Sequence, residues 1–108
     1  MKRRALVAHI WPEARDDVDD IARQIARERP ETASRFLDAF DAAVDRLLQF
    51  PDLGPAWPTT RPAVLAGVRR LVLRHFPVSI FYRPTKETLE VIRVLHHARD
   101  ASKILDEL

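Results

Sequence analysis

The chain contains no cysteine among its 108 residues. That absence excludes a disulfide framework and a thiolate metal site. Long apolar runs are also missing, since no segment approaches the roughly 20 consecutive apolar residues that span a bilayer. The basic start at residues 1–4 precedes an apolar run too short for a signal-peptide core, and Pro12 ends that run. We therefore expect one domain, residues 1–108, with a single modest core and no membrane segment.

Acidic and basic residues are separated along the chain. Residues 13–52 carry eleven acids against six arginines, whereas residues 61–99 carry eight bases against only two acids, Glu87 and Glu90. A net charge of +2 therefore conceals an acidic region followed by a basic one. If the two regions fold onto different faces, the basic face is suited to an anionic partner. Ordinary solvated charge is the alternative interpretation for both regions.

Apolar residues in the first half recur every three or four positions. This spacing predicts two amphipathic helices, one over residues 14–25 and one over residues 33–50. Pro12 suits the first turn of the first helix, and Pro30 separates the two. Turn-forming residues at 51–55 end the second helix. Because the link between the helices is short, we expect an antiparallel hairpin.

Segments rich in β-branched and aromatic residues predict four strands, one before the helices and three after them: residues 4–10, 68–76, 78–83 and 88–95. A loop over residues 54–66 leads from the helices to the sheet, and a short helix over residues 98–108 ends the chain. The order β-α-α-β-β-β with a short C-terminal helix predicts an α+β fold, in which the helical hairpin packs on a small, mainly antiparallel sheet.

Side-chain alternation predicts which residues form the core. In the last strand, one face is assigned to Ile92 and Val94, and the opposite face to Val91, Arg93 and Leu95. The predicted core between hairpin and sheet consists of five large apolar residues: Phe36, Phe40, Leu47, Ile92 and Val94. The opposite face of the sheet is then left with arginines among apolar residues.

Metal-free RNA cleavage is one chemistry that the basic region could supply. It needs a base for the 2′-hydroxyl proton, an acid for the leaving oxygen and cations for the phosphorane charge. A catalytic site built on Arg83, Arg93 and His96 would offer these groups. Tyr82, the only tyrosine, is a further possible proton carrier, and the chain after Arg99 adds neither an aromatic residue nor a histidine.

The same residues have structural interpretations. Arg83 and Arg93 can each pair with an acid, and the adjacent His96 and His97 would point to opposite faces at a strand end, one packed and one solvated. Zinc binding by these two histidines is disfavoured, because neighbours on a strand diverge and no third ligand is evident. We expect no metal site and no cofactor.

Five sequence motifs occur in a characteristic order: R-F-L-D at 35–38, L-L-Q-F-P-D-L-G at 47–54, V-R-R-L at 68–71, F-P-V-S-I-F-Y-R at 76–83 and V-I-R-V-L-H-H-A-R-D at 91–100. Over nearly the whole chain they resemble the RelE/ParE toxin superfamily of bacterial type II toxin–antitoxin systems. No single motif is a catalytic signature, but their order and spacing are specific together. The ending R-V-L-H-x-A-R-D is typical of the ParE branch.

The resemblance implies a small cytoplasmic poison that a cognate antitoxin of the ribbon-helix-helix type holds inactive. ParE-like proteins are associated with inhibition of DNA gyrase through protein binding, and this is the preferred hypothesis. RelE-like proteins cut messenger RNA on the ribosome, and such an endoribonuclease is the alternative. Under the preferred hypothesis the toxin is not an enzyme, and it contacts nucleic acid only indirectly, through the antitoxin.

The basic strands supply the predicted binding surface. Contacts with antitoxin or target are predicted at seven cationic residues: Arg69, Arg70, Arg74, Arg83, Arg93, His96 and Arg99. A groove between the hairpin and the sheet is predicted to receive the antitoxin tail as an amphipathic helix or an added strand. Four apolar residues are expected near it: Phe40, Leu47, Val68 and Leu73. Acids on the tail would meet Arg70, Arg74 or Arg83.

Overall fold

The structure, a computed structural model, describes residues 5–59 and 61–108. Eight elements follow one another along this described part of the chain: β1 (Val7–Ile10), α1 (Pro12–Glu28), α2 (Pro30–Gln49), α3 (Pro62–Leu65), β2 (Arg69–Val72), β3 (Val78–Pro84), β4 (Thr88–His96) and α4 (Ala101–Asp106). The predicted α+β fold is confirmed. Arg4, where the first strand was predicted to begin, lies outside the described residues.

Some predicted segments differ from those in the structure, among them the terminal helix, which spans Ala101–Asp106 rather than residues 98–108. The segment predicted as a loop over residues 54–66 contains the short helix α3. Strand β2 ends at Val72 rather than at Phe76, because the chain turns immediately afterwards and His75 adopts a left-handed backbone with φ of 69°. The turn is closed by the Leu73 N–H, which donates to the Val78 carbonyl at 2.8 Å.

Two prolines set the beginnings of the long helices. Pro12 and Pro30 each lie in a first turn, where the missing N–H would have had no partner within the helix. Pro30 could not continue α1, so the chain ends one helix at Glu28 and begins the next after a single residue, Arg29. So short a link leaves α1 and α2 packed against each other, as the predicted hairpin. No helix of the described chain has both the length and the apolar character needed to cross a membrane.

The four strands form one sheet in the order β1-β4-β3-β2. Strand β1 pairs parallel with β4, with Val7 opposite Thr88, and the other two pairs are antiparallel. The sheet is therefore mainly antiparallel, as predicted. Strand β4 is central, since it pairs with β1 on one side and β3 on the other, and most of its residues are buried.

Apolar side chains pack on both faces of this sheet. Beneath the hairpin, the first cluster includes Phe36, Phe40, Leu47, Tyr82, Val91 and Val94. On the opposite face, the second cluster consists of Leu65, Val68, Phe81, Ile92, Leu95 and Leu105. The face predicted to carry arginines among apolar residues thus has a core of its own, which α4 and the segment before β2 cover.

The predicted core is wrong at Ile92, which lies in the second cluster, while Val91 takes a place beneath the hairpin. The pairing of β3 with β4 explains the exchange. Phe81 lies opposite Arg93 and the next residue, Tyr82, lies opposite Val91, so Ile92 has no partner. One extra residue in a strand shifts the side-chain alternation, and a strict period of two does not reveal it. The other four predicted core residues lie in the first cluster, as expected.

Candidate functional site

The Arg93 guanidinium is held by a carboxylate of α1. Its Nε and Nη2 donate to Asp17 Oδ2 and Oδ1 at 2.7 and 2.8 Å. The same carboxylate accepts the Val94 N–H at 3.0 Å. Val94 follows Val91, the last β4 residue that pairs with β1, further along the same strand. The hydrogen bond from Arg93 to Asp17 is the largest cause of the raised pKa of Arg93. Asp17 therefore continues the sheet edge where β1 has ended, and Arg93 is engaged in the fold.

Two further predicted binding residues also make internal contacts. Arg83 donates to Glu90 Oε2 at 3.3 Å and to the Val64 carbonyl at 3.0 Å. Arg69 donates to the Gly54 carbonyl at 2.7 Å. Both side chains are partly buried. These contacts tie β3 to β4 and α3, and β2 to the loop after α2.

The residues of the alternative nuclease site do not converge. Arg83 lies opposite Glu90, whereas His96 ends β4 opposite Val78. At about 3.3 Å per residue, the step along β4 from Glu90 to His96 places these two positions roughly 20 Å apart. Arg93 is bound to α1 instead. An acid and a base that act on one substrate must both lie within hydrogen-bond reach of it, so Arg83, Arg93 and His96 form no joint site.

Tyr82, considered above for proton transfer, is buried, and its hydroxyl group is engaged in hydrogen bonds within the fold. Its hydroxyl donates to the Pro51 carbonyl and accepts the Gly54 N–H, both at 2.9 Å. Burial raises the pKa of Tyr82 above the ordinary value of 10.0, although the Gly54 hydrogen bond and nearby Arg69 act to lower it. The phenol thus remains protonated at neutral pH and fixes the turn after α2 to the sheet.

A groove of about 530 Å³ lies between α2 and the edge strand β2. Apolar side chains from both elements and the following turn line it, among them Ala39, Ala43, Leu71, Leu73 and Phe76. Its other lining residues include Arg35, Arg46, Arg74 and His75, and none of the described lining residues is an acid. The predicted groove between hairpin and sheet is therefore present, with Leu73 and Arg74 in its wall. Phe40 and Leu47 are buried in the first cluster, and Val68 lies in the second.

The sheet edge beside this groove is covered along only part of its length. The Trp57 N–H donates to the Val68 carbonyl at 2.9 Å, and the Arg70 N–H donates to the Pro55 carbonyl at 3.0 Å. Successive N–H groups of a strand alternate in direction, so the Val72 N–H also points away from β3. The Val72 side chain is 52 % exposed. The second half of β2 thus presents both backbone and apolar side-chain groups next to the groove.

A cavity of about 230 Å³ lies beside α4 and brings together Arg70, His96 and Arg99, three of the predicted binding residues. Ser79, His97 and Trp57 also line it. Ser79 and Trp57 were not among the predicted site residues, since neither carries a charge or belongs to a catalytic motif. The one signal in the sequence is that Ser79 interrupts an apolar run from Val78 to Tyr82.

The Ser79 hydroxyl lies between a cation and an imidazole. Arg70 Nε donates to Ser79 Oγ at 2.8 Å, and His97 Nε2 lies 2.9 Å from the same oxygen. Burial lowers the pKa of His97 below its ordinary value of 6.5, and the nearby Arg70 and His96 lower it further. His97 is therefore uncharged at neutral pH, and its Nε2 can accept the Ser79 hydroxyl proton in a hydrogen bond. The Arg70 guanidinium also lies over the Trp57 ring, 5.9 Å from its centroid.

Residues 9–101 match the sequence model of a family described as "ParE toxin of type II toxin-antitoxin system, parDE". The chain belongs to the ParE toxin family. A relative from Sinorhizobium fredii, named "Putative toxin Y4kP", is 30% identical over 88 residues, which cover 82% of this chain and 84% of that protein. The resemblance to the ParE branch is confirmed, and the protein is a ParE-type toxin of a type II toxin–antitoxin system.

A solved structure shares the fold of this ParE-type toxin. It is described as "Chromosomal ParDE TA system from P. aeruginosa", and it matches with a TM-score of 0.68 and 24% sequence identity. The match covers 85% of this chain and 96% of that one. The helical hairpin on a small mixed sheet is therefore shared with the matched chain of that system.

Proposed function

We propose that this ParE-type toxin acts in the cytoplasm by binding DNA gyrase, without enzymatic chemistry of its own, and that a cognate ribbon-helix-helix antitoxin neutralises it. The choice of gyrase follows from membership of the ParE family. The observation that carries the antitoxin proposal is the groove between α2 and β2, which combines an apolar lining, three arginines and an open strand edge. Such a surface suits a protein segment better than turnover of a small molecule.

The antitoxin segment that fits this groove is amphipathic and acidic. Its apolar side chains would pack against Ala39, Ala43 and Leu71, while its carboxylates would meet Arg46 and Arg74. An extended stretch could add to the edge of β2 at the exposed residue Val72. Opposite charges on the two partners would speed association and make it dependent on salt concentration.

The seven predicted binding residues divide into three groups under this proposal. Arg74 contacts the antitoxin in the groove. Arg70, His96 and Arg99 form an exposed or half-buried basic group at the other cavity, available to a second partner. Arg69, Arg83 and Arg93 hold the fold together through the contacts described above.

Purified toxin is expected to inhibit DNA supercoiling by purified gyrase, and added antitoxin should restore it. A parallel reaction would contain translating ribosomes and messenger RNA, with cleavage followed by primer extension. Inhibited supercoiling with intact messages supports the proposal. Unchanged supercoiling together with codon-specific cleavage would replace it with the ribosome-dependent nuclease.

Reversing two groove charges is expected to weaken antitoxin binding. In the double variant Arg46→Glu and Arg74→Glu, carboxylates of the antitoxin would meet like charges, so we expect at least a roughly tenfold rise in Kd, or about 1.4 kcal/mol. The loss should shrink at high salt. Calorimetric titration with the cognate antitoxin would give the Kd.

A matched control is the double variant Arg23→Glu and Arg27→Glu, which makes the same charge change at exposed positions of α1 away from the groove lining. Its Kd should stay near that of the unmodified toxin. Equal weakening in both double variants would show that only overall charge matters and would place the antitoxin elsewhere.

A further inference from the structure

Arg70 differs from the other arginines of the strands in the partners of its guanidinium. Arg69, Arg83 and Arg93 each form an ion pair with an acid. Within residues 5–59 and 61–108, no such pair involves Arg70. Its Nε is used by Ser79, and the two terminal nitrogens supply the remaining N–H groups of the guanidinium. Arg70 thus brings to the wall of a cavity a positive charge that no ion pair among the described residues neutralises.

The surroundings of Arg70 fix its orientation. Ser79 Oγ accepts from Nε, and the Trp57 ring lies beneath the guanidinium. Trp57 is itself held by edge-to-face packing on Phe81, with ring centroids 5.0 Å apart and an angle of 83° between the planes. A guanidinium held in place loses less freedom on binding than a mobile one. This cation is therefore pre-organised for an anion.

Ser79 itself is not placed for nucleophilic attack. The residue is only 2 % exposed, and its oxygen already contacts Arg70 and His97. A nucleophile needs an open approach to the substrate. Ser79 instead acts as a positioning residue, because it links the guanidinium to the imidazole and sets the distance between them.

We propose that this cavity beside α4 is a binding site for a phosphate group, with Arg70 as the main contact and with His97 and Arg99 completing the site. At about 230 Å³ it is smaller than the roughly 300–1,000 Å³ of typical small-molecule sites. It therefore suits a single charged group better than a whole nucleotide. Arg recognises phosphate through two parallel N–H donors, which the terminal nitrogens of Arg70 provide.

One acid also lines the cavity, and its carboxylate has a task in the fold. Asp100 Oδ1 accepts the Lys103 N–H at 3.1 Å and caps α4. Arg70 and Arg99 also line the cavity, so their two positive charges exceed the single negative charge of Asp100. A phosphate with two negative charges would gain from both arginines and from protonation of His97.

The test is titration of the ¹⁵N-labelled full chain with inorganic phosphate, at constant ionic strength and at a pH near 6.5, the ordinary pKa of histidine. We expect the His97 ring signals to shift with a Kd on the order of 1 mM. The pKa of His97 should rise when phosphate is bound, because a nearby negative charge favours the imidazolium. No shift of the His97 signals on adding phosphate would overturn the proposal.

Three variants locate the phosphate. Arg70→Gln should remove the phosphate-dependent shift, and Arg99→Gln, at an exposed position, should weaken binding while leaving the packing of the strands alone. Lys86→Gln removes one positive charge at the exposed β3–β4 loop and should bind as the unmodified chain does. Thermal unfolding checks that each variant is folded. Equal phosphate responses in Arg99→Gln and Lys86→Gln, or an unchanged response in folded Arg70→Gln, would refute the assignment.

The source of the phosphate is distinguished by a second titration with a short single-stranded oligonucleotide that lacks terminal phosphates. Shifts at His97 that depend on Arg70 would identify a nucleic-acid backbone, whereas a response to inorganic phosphate alone would identify a free phosphate or a monoester. Both outcomes keep the phosphate site. The titrations contain neither gyrase nor antitoxin, so their result is independent of the proposed gyrase target.

Discussion

Replacing Asp17 with alanine is expected to lower the free energy of unfolding by about 3–5 kcal/mol. The substitution leaves the Arg93 charge without its carboxylate, and this loss is costly because the Arg93 side chain is only 17 % exposed to water. It also leaves the buried Val94 N–H without an acceptor. Alanine is a better helix former than aspartate, so the loss cannot be attributed to α1 itself. Urea denaturation followed by circular dichroism would measure it.

Asp20→Ala is the matched control, because it removes an acid from the same helix. Asp20 pairs with Arg23 at the surface, where both side chains are about 70 % exposed, and such pairs contribute about 1 kcal/mol or less. The double variant Asp17→Ala with Arg93→Ala should recover part of the loss, since no unpaired charge remains. If Asp17→Ala and Asp20→Ala proved equally mild, the bond between α1 and β4 would not stabilise the fold.

This contact illustrates which parts of the fold the sequence can predict. The helices were predictable because their apolar residues recur within a few positions. Asp17 sits among the apolar positions Ala14, Val18 and Ile21, and an acid on that stripe is a signal that it meets a partner. No pattern in the sequence around Asp17 identifies its partner as Arg93, which lies 76 residues further along the chain. The unpaired residue Ile92 is equally invisible, since it depends on how two strands align.

Replacing Gly54 with alanine is expected to destabilise the protein to a similar extent. An added Cβ would lie 2.5 Å from the Arg70 carbonyl oxygen, which is backbone and cannot swing aside. Overpacking of this kind costs about 1–3 kcal/mol. Moving the Gly54 N–H away from the buried Tyr82 oxygen adds about 1–3 kcal/mol. Thermal and chemical unfolding would give the change.

Gly67→Ala provides the comparison, because it tests backbone conformation without a clash. Gly67 has φ of 82°, but an added Cβ there would meet nothing closer than 3.6 Å. The left-handed conformation alone costs about 1–2 kcal/mol for an L residue. We therefore expect Gly54→Ala to be the more damaging substitution. The reverse order would mean that the loop after α2 can move away from β2 without loss.

For the candidate sites, the sequence predicts which charged residues take part but not which contacts they make. Charge alone predicts a binding role for Arg70, His96 and Arg99, and the structure brings them to one cavity. The sequence assigns Ser79 no role, because its hydrogen bonds depend on how the strands pair. Arg70 lies on the neighbouring strand β2, and His97 follows the other neighbouring strand, β4. Charge predicts the same role for Arg93, and only the packing of α1 shows that Asp17 holds its guanidinium.

The central position of β4 has a consequence for how the chain folds as it is made. Synthesis completes the hairpin α1–α2 before β4, the strand that pairs with both β1 and β3, has been made. Contacts between distant parts of a chain also form slowly. The sheet can therefore be assembled only after β4 has been made, and the second cluster only after Leu105 has followed it. Until then the apolar stripe of the hairpin stays uncovered, so a prematurely terminated chain is exposed to aggregation and proteolysis before it has the structure of a toxin.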